Sequence, residues 1–535
     1  MMRVIHTNIG YVNDLREQLT SREAKTRLFY AFLGAVLFSL AAHAYAYFSF
    51  APLHDAVNYI DYHSGKWEIS LGRYMEPLYG AVRGKYTMPW LSGLLSMLYT
   101  GAAAFFISDL LEIKNRALVA MLAGFLTVNA TMTDTVLEYA SFGDMFTLAL
   151  MLSSAGTYML VRMPGIAGAL LAMVCFLGSL GLYQSYIFIA IQLLMQVVLH
   201  QALRERRLIK NALSSWLRMA AVMAVTLAAY VVLYKGAMRL YGVKTVPSSY
   251  NSPAALLSMS VSEMMEYVKA AYVNFVAYFF GYRRAALSAF NVFSLMMTAC
   301  AGAMLLRHIV RERLPVLNVL MIVLILALFP FMAQATSILT RSMEIYFLAA
   351  PGMMLYFPFL MDLLASPSLE GERAKKERLF VRSRAMRAAV YALCGALLFV
   401  GVRMSNGLYT YQRVQYDKTH SYVTRLMERI DTCEGYVPGQ TQVAFVGLLS
   451  SSLVNLDAPE GAEWMSGLNR SGVTYMMIFE SYFRMLGEEI DVITDYTGLP
   501  DYAQMDEVKA MPAYPSAGCT KMIDGKLIVK LSQPR

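Results

Sequence analysis

Charge is what this chain of 535 residues most lacks. Asp, Glu, Lys and Arg together make up 16% of it, where a soluble chain would carry roughly a quarter. Cysteine is scarce too. Of five cysteines, Cys175, Cys300 and Cys394 fall in apolar segments, and Cys433 and Cys519 bracket a polar C-terminal region. No Walker, Rossmann or serine-hydrolase signature occurs in a suitable context, so nothing points to energy from nucleotides. No basic patch marks a folded soluble domain, which excludes nucleic acid as a partner. Met1–Arg27 is too polar for a signal peptide and has no small-residue cleavage site, so it is expected to remain as a cytosolic segment.

Apolar residue is what the chain has in abundance: the hydrophobic fraction is 57% and the mean hydropathy +0.45. Several runs reach the length of about 20 residues that crosses a bilayer. Eleven apolar segments are read, at about 28–50, 90–111, 117–133, 143–162, 165–182, 185–200, 217–237, 286–306, 314–333, 343–364 and 388–404. With the N-terminus inside, the even-numbered spans end in basic clusters: Lys114/Arg116, Arg162, Arg204–Lys210, Arg307–Arg313 and Arg373–Arg387. All five then lie in the cytosol, as the positive-inside rule requires. Net charge follows the same division. Residues 1–404 hold 35 basic against 21 acidic residues, and residues 405–535 hold 11 against 16.

This topology leaves 51–89, 134–142, 238–285 and everything after 405 on the far side, with the turn Gly181–Tyr183 and the segment Gln334–Ser342. Met259–Val276 repeats apolar positions at helical spacing and is expected to lie along the interface. The tail opens with a helical stretch, Val414–Ile430. Short β-like runs follow (Gln442–Val446, Lys526–Leu531), with apolar Tyr475–Leu486 between them. The expected fold is an α-helical polytopic membrane protein with an extracytoplasmic α/β domain over 405–535. Cys433 and Cys519 would close a long external loop as a disulfide, worth a few kcal/mol in the loop-entropy account, or both would be free.

The first far-side loop, 51–89, concentrates ionisable and aromatic residues: His54, Asp55, Asp61, His63, Glu68, Arg73, Tyr74 and Glu76. That density favours chemistry at the membrane surface. Four features resemble the type II glucosyltransferases (the Gtr enzymes that glucosylate bacterial O-antigen) and, more broadly, the GT-C glycosyltransferases. An acid follows the first span in Leu53-His54-Asp55. A Gly-Arg-aromatic motif comes next, Ser70-Leu71-Gly72-Arg73-Tyr74-Met75-Glu76-Pro77. Pro89-Trp90-Leu91-Ser92-Gly93-Leu94-Leu95 opens the second span, and Leu182-Tyr183-Gln184-Ser185-Tyr186 sits at a far-side turn. The layout extends over about 25–410. The family more often has an acidic pair where this chain has His54-Asp55.

The resemblance implies a GT-C-like membrane domain over 28–404 and transfer of a sugar, glucose in the Gtr enzymes, from a polyprenyl-phosphate donor to an envelope glycan. The site would be the outer face of the bacterial cytoplasmic membrane. A separate flippase and a donor-lipid synthase would supply the donor. Asp55 matches the first-loop acid and would be the base that takes the acceptor proton; it also suits a helix N-cap over Ala56–Tyr62. Arg73 and Arg341 would contact the donor phosphate, since a guanidinium fork fits its oxygens. Arg73 could instead pair with Glu76, and Arg341 with Glu344. His54, Glu76, Glu138, Glu344, Tyr183 and Gln184 complete the substrate-binding candidates, although interfacial tyrosines are also ordinary belt residues. Asp144 reads as a helix cap, Asp61 as solvated, and Arg283-Arg284 as a contact to lipid headgroups. No His-x-x-His spacing supports zinc; some GT-C enzymes use a divalent cation and others none, so a metal stays open. The competing class is a transporter or flippase of lipid-linked sugars. Against it, the sequence shows no repeat between halves and no acid–base series deep in a span.

Overall fold

The computed structural model describes residues 20–53, 55–60, 65–163, 165–205, 208–244, 259–282, 286–365, 384–447, 457–465, 476–487 and 489–532. It is mostly helical, because hydrocarbon offers the backbone no hydrogen-bond partner outside its own helix. In chain order the longer helices are α1 (Arg22–Phe48), α2 (Glu76–Arg83), α3 (Pro89–Leu110), α4 (Arg116–Thr127), α5 (Ala130–Glu138), α6 (Gly143–Arg162), α7 (Ile166–Leu182) and α8 (Ile187–Arg204). They continue as α9 (Leu208–Leu240), α10 (Val261–Phe280), α11 (Ala289–Glu312), α12 (Val316–Ala333), α13 (Tyr356–Ala365), α14 (Arg384–Asp431) and α15 (Met476–Met485). Local signals set their ends. Ser21 caps α1, Asn115 caps α4 and Asn129 caps α5, each accepting from a backbone N–H in the first turn.

Among the described residues eight helices are long and apolar enough to cross a membrane. A ninth candidate is the pair α4–α5, bent by 44° at Val128–Asn129. The other two segments expected as spans are shorter, Ile166–Leu182 and Pro351–Leu364. The latter starts as 3-10 turns over Phe347–Ala349 and Pro351–Leu355 rather than as one straight helix. Every expected segment is thus an apolar helix, but not every one is a full-length span.

Small residues set the packing around α1. This helix lies against α3, α4 and α14, burying Ala31, Gly34, Ala35 and Ala42. Between helices in lipid, small residues replace hydrophobic force with close backbone approach. Where α1, α4 and α14 meet, buried His43 bridges Tyr409 Oη at 2.6 Å and the Thr127 carbonyl at 3.0 Å.

Three expectations change in the remainder. Helix α10 carries a full capping box, Ser260 with Glu263, and its second half packs into the bundle. Phe275, Tyr278 and Phe279 are buried in the main core against α11 and α12, because the aromatic residues recur every three to four positions on one face. The last span and the polar helical stretch are one helix, α14, of 48 residues and about 70 Å. Its second half carries Arg413, Asp417, Lys418, Arg425, Glu428 and Arg429, charges that hydrocarbon would reject, so it projects from the bundle. Third, a buried acid–base pair does exist inside the bundle: His200 and Asp362 lie 2.6 Å apart.

The tail is built on the projecting half of α14. Its sheet has the order β1-β3-β2, from β1 (Val443–Val446), β2 (Thr520–Ile523) and β3 (Lys526–Lys530). β1 runs parallel to β3 and β2 antiparallel. One tail core joins Val423, Leu426 and Ile430 of α14 to Phe479, Tyr482 and Phe483 of α15. Val57, from the short helix Asp55–Asn58 of the first loop, belongs to that same core. Cys433 and Cys519 are neighbouring thiols here; burial, with Cys433 nearby, pushes the Cys519 thiol up.

Replacing Gly34 by alanine should cost about 1–3 kcal/mol as overpacking. Its Cβ would meet the backbone of Ala120, with Cα at 2.7 Å, and that backbone cannot move alone. A detergent-solubilised Gly34→Ala variant should melt several degrees below the parent; an unchanged melting temperature would refute this close packing of α1 on α4.

Candidate active site at the first loop

Two sequence motifs build the site by docking on each other. Ser70–Met75 forms a turn whose glycine has φ +92° at Gly72, a region that favours a residue without Cβ. A Cβ there would meet Gln184 Nε2 at 2.6 Å and the Tyr230 hydroxyl. The turn is held by its own carbonyls. Gln184 Nε2 donates to Leu71 O at 2.6 Å, Tyr230 Oη to Gly72 O at 3.1 Å and Tyr234 Oη to Ser70 O at 2.9 Å. On its other side, Met75 N–H donates to Gly181 O at 2.8 Å and Tyr74 Oη to Leu177 O at 2.9 Å. Gln184, a sugar-binding candidate, is therefore part of the frame.

The frame aims Arg73. Its guanidinium stands 4.4 Å from the centroid of the Tyr183 ring, a cation–π geometry, and 3.8 Å from Glu76. Nε of Arg73 and both carboxylate oxygens of Glu76 have no hydrogen-bond partner. Glu76 is fully buried. Burial, reinforced by Glu68 and opposed by Arg73, pushes its carboxyl up to about 8.

A second set of carboxyls adjoins this one through tyrosines. Tyr59 and Tyr346 are electrostatic neighbours of Arg73, and Tyr346 also senses Tyr183, Glu138 and Asp134. The Tyr346 and Tyr139 hydroxyls are 2.5 Å apart. Asp134 and Glu138, both buried on α5, are hydrogen-bonded to each other, and the Leu348 N–H binds Asp134. A bond between two carboxyls needs a proton between them. Tyr346 was missed because it sits in an apolar run, although Tyr139 ends a stretch already conspicuous for its acids.

Asp144 is not a mere cap. It accepts from Tyr79 Oη at 2.9 Å, Ser92 Oγ at 3.0 Å and Arg83 at 3.4 Å, so it pins α2 to α3 and α6. Arg341 and Glu344 are exposed; hydrogen bonds from Ser260 hold the Glu263 carboxyl below the usual range at the start of α10, with a smaller contribution from Arg341. Tyr183 is buried beneath Arg73, with Phe146 and Tyr186 around it. Asp55 opens the helix Asp55–Asn58, which packs on α5 and α15; its side chain, His54, Asp61, His63 and Arg283-Arg284 lie outside the described residues. Among the described residues no group of three His, Cys, Asp or Glu could hold a metal ion.

Beside α5 opens an apolar cleft lined by Val128, Thr133, Phe279, Phe290, Phe347 and Met404 among others. The site thus combines a guanidinium and buried carboxyls, and the first turns of the α5 helix that carries Asp134 and Glu138 also line the apolar cleft.

A family model, glucosyl transferase GtrII, matches residues 44–361, more than half of the chain. The chain belongs to the GtrII family. The GtrII match takes in both docked motifs, the tyrosine bridge and the apolar cleft's α5 side, and it ends before α14 and the tail. Membership makes the protein a glycosyltransferase, and its apolar helices suit a multi-pass membrane protein. No individual curated protein and no solved structure matches it.

Glu76 gives this GtrII site a pH signature. A free glutamate titrates near ~4.3, and in the fold it holds its proton up to about 8. Folding therefore favours the protonated form. The stability it contributes is complete below ~4.3 and is lost as pH rises through about 8. Melting temperatures of the parent should fall across that window, and Glu76→Gln, which mimics the protonated acid, should flatten the fall. Equal slopes in the two proteins would contradict the buried acid.

Proposed function

We propose that this protein moves a sugar, glucose by family, from a polyprenyl-phosphate carrier to a hydroxyl of a cell-envelope glycan on the outer face of the cytoplasmic membrane. The carrying observation is the arrangement at the docked motifs, a guanidinium with an unpartnered Nε over an aromatic ring; an apolar cleft is lined in turn by the first residues of α5, the helix that bears Asp134 and Glu138. A lipid phosphate needs both features, charge for the head and hydrocarbon for the tail. The acceptor oxygen attacks the anomeric carbon as the bond from that carbon to the phosphate oxygen breaks. Asp55 takes the hydroxyl proton, Arg73 stabilises the departing phosphate, and the prenyl chain lies along Phe279, Phe290 and Phe347. Tyr183 fixes the guanidinium from below.

The orientation follows from the basic clusters, all on the cytoplasmic side in the eleven-span layout. It puts 405–535 outside, where Val57 of the first loop is packed into the tail core. The tail then roofs the loop and forms one wall of the acceptor's approach. Arg341 and Glu344 are assigned to the rim rather than to the donor phosphate, given their exposure.

Transfer of labelled glucose from polyprenyl-phosphate-glucose to envelope glycan, in membranes, tests the reading. Asp55→Asn should lose about 10²–10⁴-fold, the range for a general base. Arg73→Lys should lose about 10-fold or more, the value of a charged hydrogen bond. Full activity of a well-expressed Asp55→Asn would move the base to Glu138, and no transfer by the parent from any lipid-linked sugar would favour the flippase. An external tail also makes an oxidised Cys433–Cys519 pair the expected state in cells. Protein trapped with a thiol-blocking reagent before lysis should be lighter by two labels than the reduced protein; two free thiols would refute it.

A further inference from the structure

Helix α8 carries a stripe of polar side chains into the interior of the bundle. Gln192, Gln196 and His200 follow each other at four-residue steps, on one face of the helix. They span about 12 Å along its axis. Gln192 and Gln196 are fully buried, and His200 nearly so. Gln192 lies against Gly352, whose Cβ would stand 2.5 Å from its Oε1 and 2.8 Å from Ala333 Cα. At the other end His200 Nε2 meets Asp362 Oδ2 of α13 at 2.6 Å. Near this pair stands Glu112, which senses His200 and Arg162 and pairs with Arg204; further along α8, Leu203 O meets His308 Nε2 at 3.2 Å.

The amides are unsatisfied. Nε2 and Oε1 of Gln192, Nε2 and Oε1 of Gln196, and Oδ1 of Asp362 have no hydrogen-bond partner in the protein. Inside a membrane bundle each such atom costs several kcal/mol if left bare, so something polar must meet them. The missing partner has to offer donors to the amide oxygens and acceptors to the amide nitrogens. A bare cation serves the oxygens alone, and a prenyl chain serves neither. Water serves both, and a buried water typically makes about three such bonds.

We propose that α8 and α13 hold a file of bound water inside the bundle, running from Gln192 past Gln196 to the His200–Asp362 pair, distinct from the carboxyls at the first loop. The file ends four residues from Arg204, at the terminus of α8. It gives His200 and Asp362 a route for proton exchange that the buried apolar core of the bundle would otherwise close. The proposal does not depend on the substrate or on which face is cytoplasmic.

Gln196→Cys, in the full chain in native membranes, tests it with silver ion, a thiol reagent of nearly water's size. Blocked thiols are read by mass spectrometry, with buried Cys394 of α14 as the dry control. The new cysteine should react at least about tenfold faster than Cys394, which reacts only when the fold opens. Reaction as slow as that of Cys394 would overturn the file. Should the variant not fold, water-resolving density of the unmodified protein decides. Peaks within hydrogen-bond reach of the Gln192 and Gln196 amides support the proposal, and amides bonded only to each other reject it.

Discussion

Everything at the candidate site depends on how one turn is held. Arg73 can stand over Tyr183 only because the preceding Gly72 adopts a left-handed backbone, and Gly72 can do so only because Gln184, Tyr230 and Tyr234 take up the carbonyls the turn leaves unpaired. In a low-dielectric setting an unpaired carbonyl is expensive, so these bonds fix the turn more firmly than its sequence would. The same constraint explains why Glu76 tolerates complete burial. Its helix α2 is locked at the far end by Asp144, through Tyr79 and Arg83, and the carboxyl has no freedom to swing into water.

Much of the scaffold was legible in the sequence, for a physical reason. Apolar runs of bilayer length can only be helices, so the segments are found by composition alone. Their detailed form is not. The bend at Val128–Asn129 arises because Asn129 caps a new helix with its side chain, which composition does not register. Likewise the 3-10 start of the last short segment brings Gly352 against Gln192 and Ala333, contacts that local pattern does not register. The fusion of the final span with the tail helix was hidden because hydropathy drops at about residue 405 while helical propensity does not.

For the candidate site, the motifs named several residues that the fold brings together, but not the partners that hold them. Arg73, Glu76 and Tyr183 meet in the fold, whereas Gln184 is occupied in holding the frame, and Arg341 and Glu344 are exposed. Asp144 looked like a cap because Asp at a helix start usually is one; its three side-chain partners come from residues 52 to 65 positions away, beyond the reach of local pattern. The polar stripe of α8 was equally invisible. Gln192, Gln196 and His200 are few among many apolar residues, and only the neighbouring helices make them buried.

The unbroken α14 has a geometric consequence. Because the tail is carried on a continuous helix, its facing is tied to residue count. Each residue inserted in the projecting half would turn the tail about 100° around the helix axis, and lift it about 1.5 Å. The tail core must meet Val57 of the first loop, so the helix works as a phase gauge. Insertions of about seven residues, near two full turns, would return the tail to its facing but raise it by about 10 Å, off the loop it covers. Length and angle cannot be corrected together, and the segment between the last span and the tail therefore admits almost no drift in residue number.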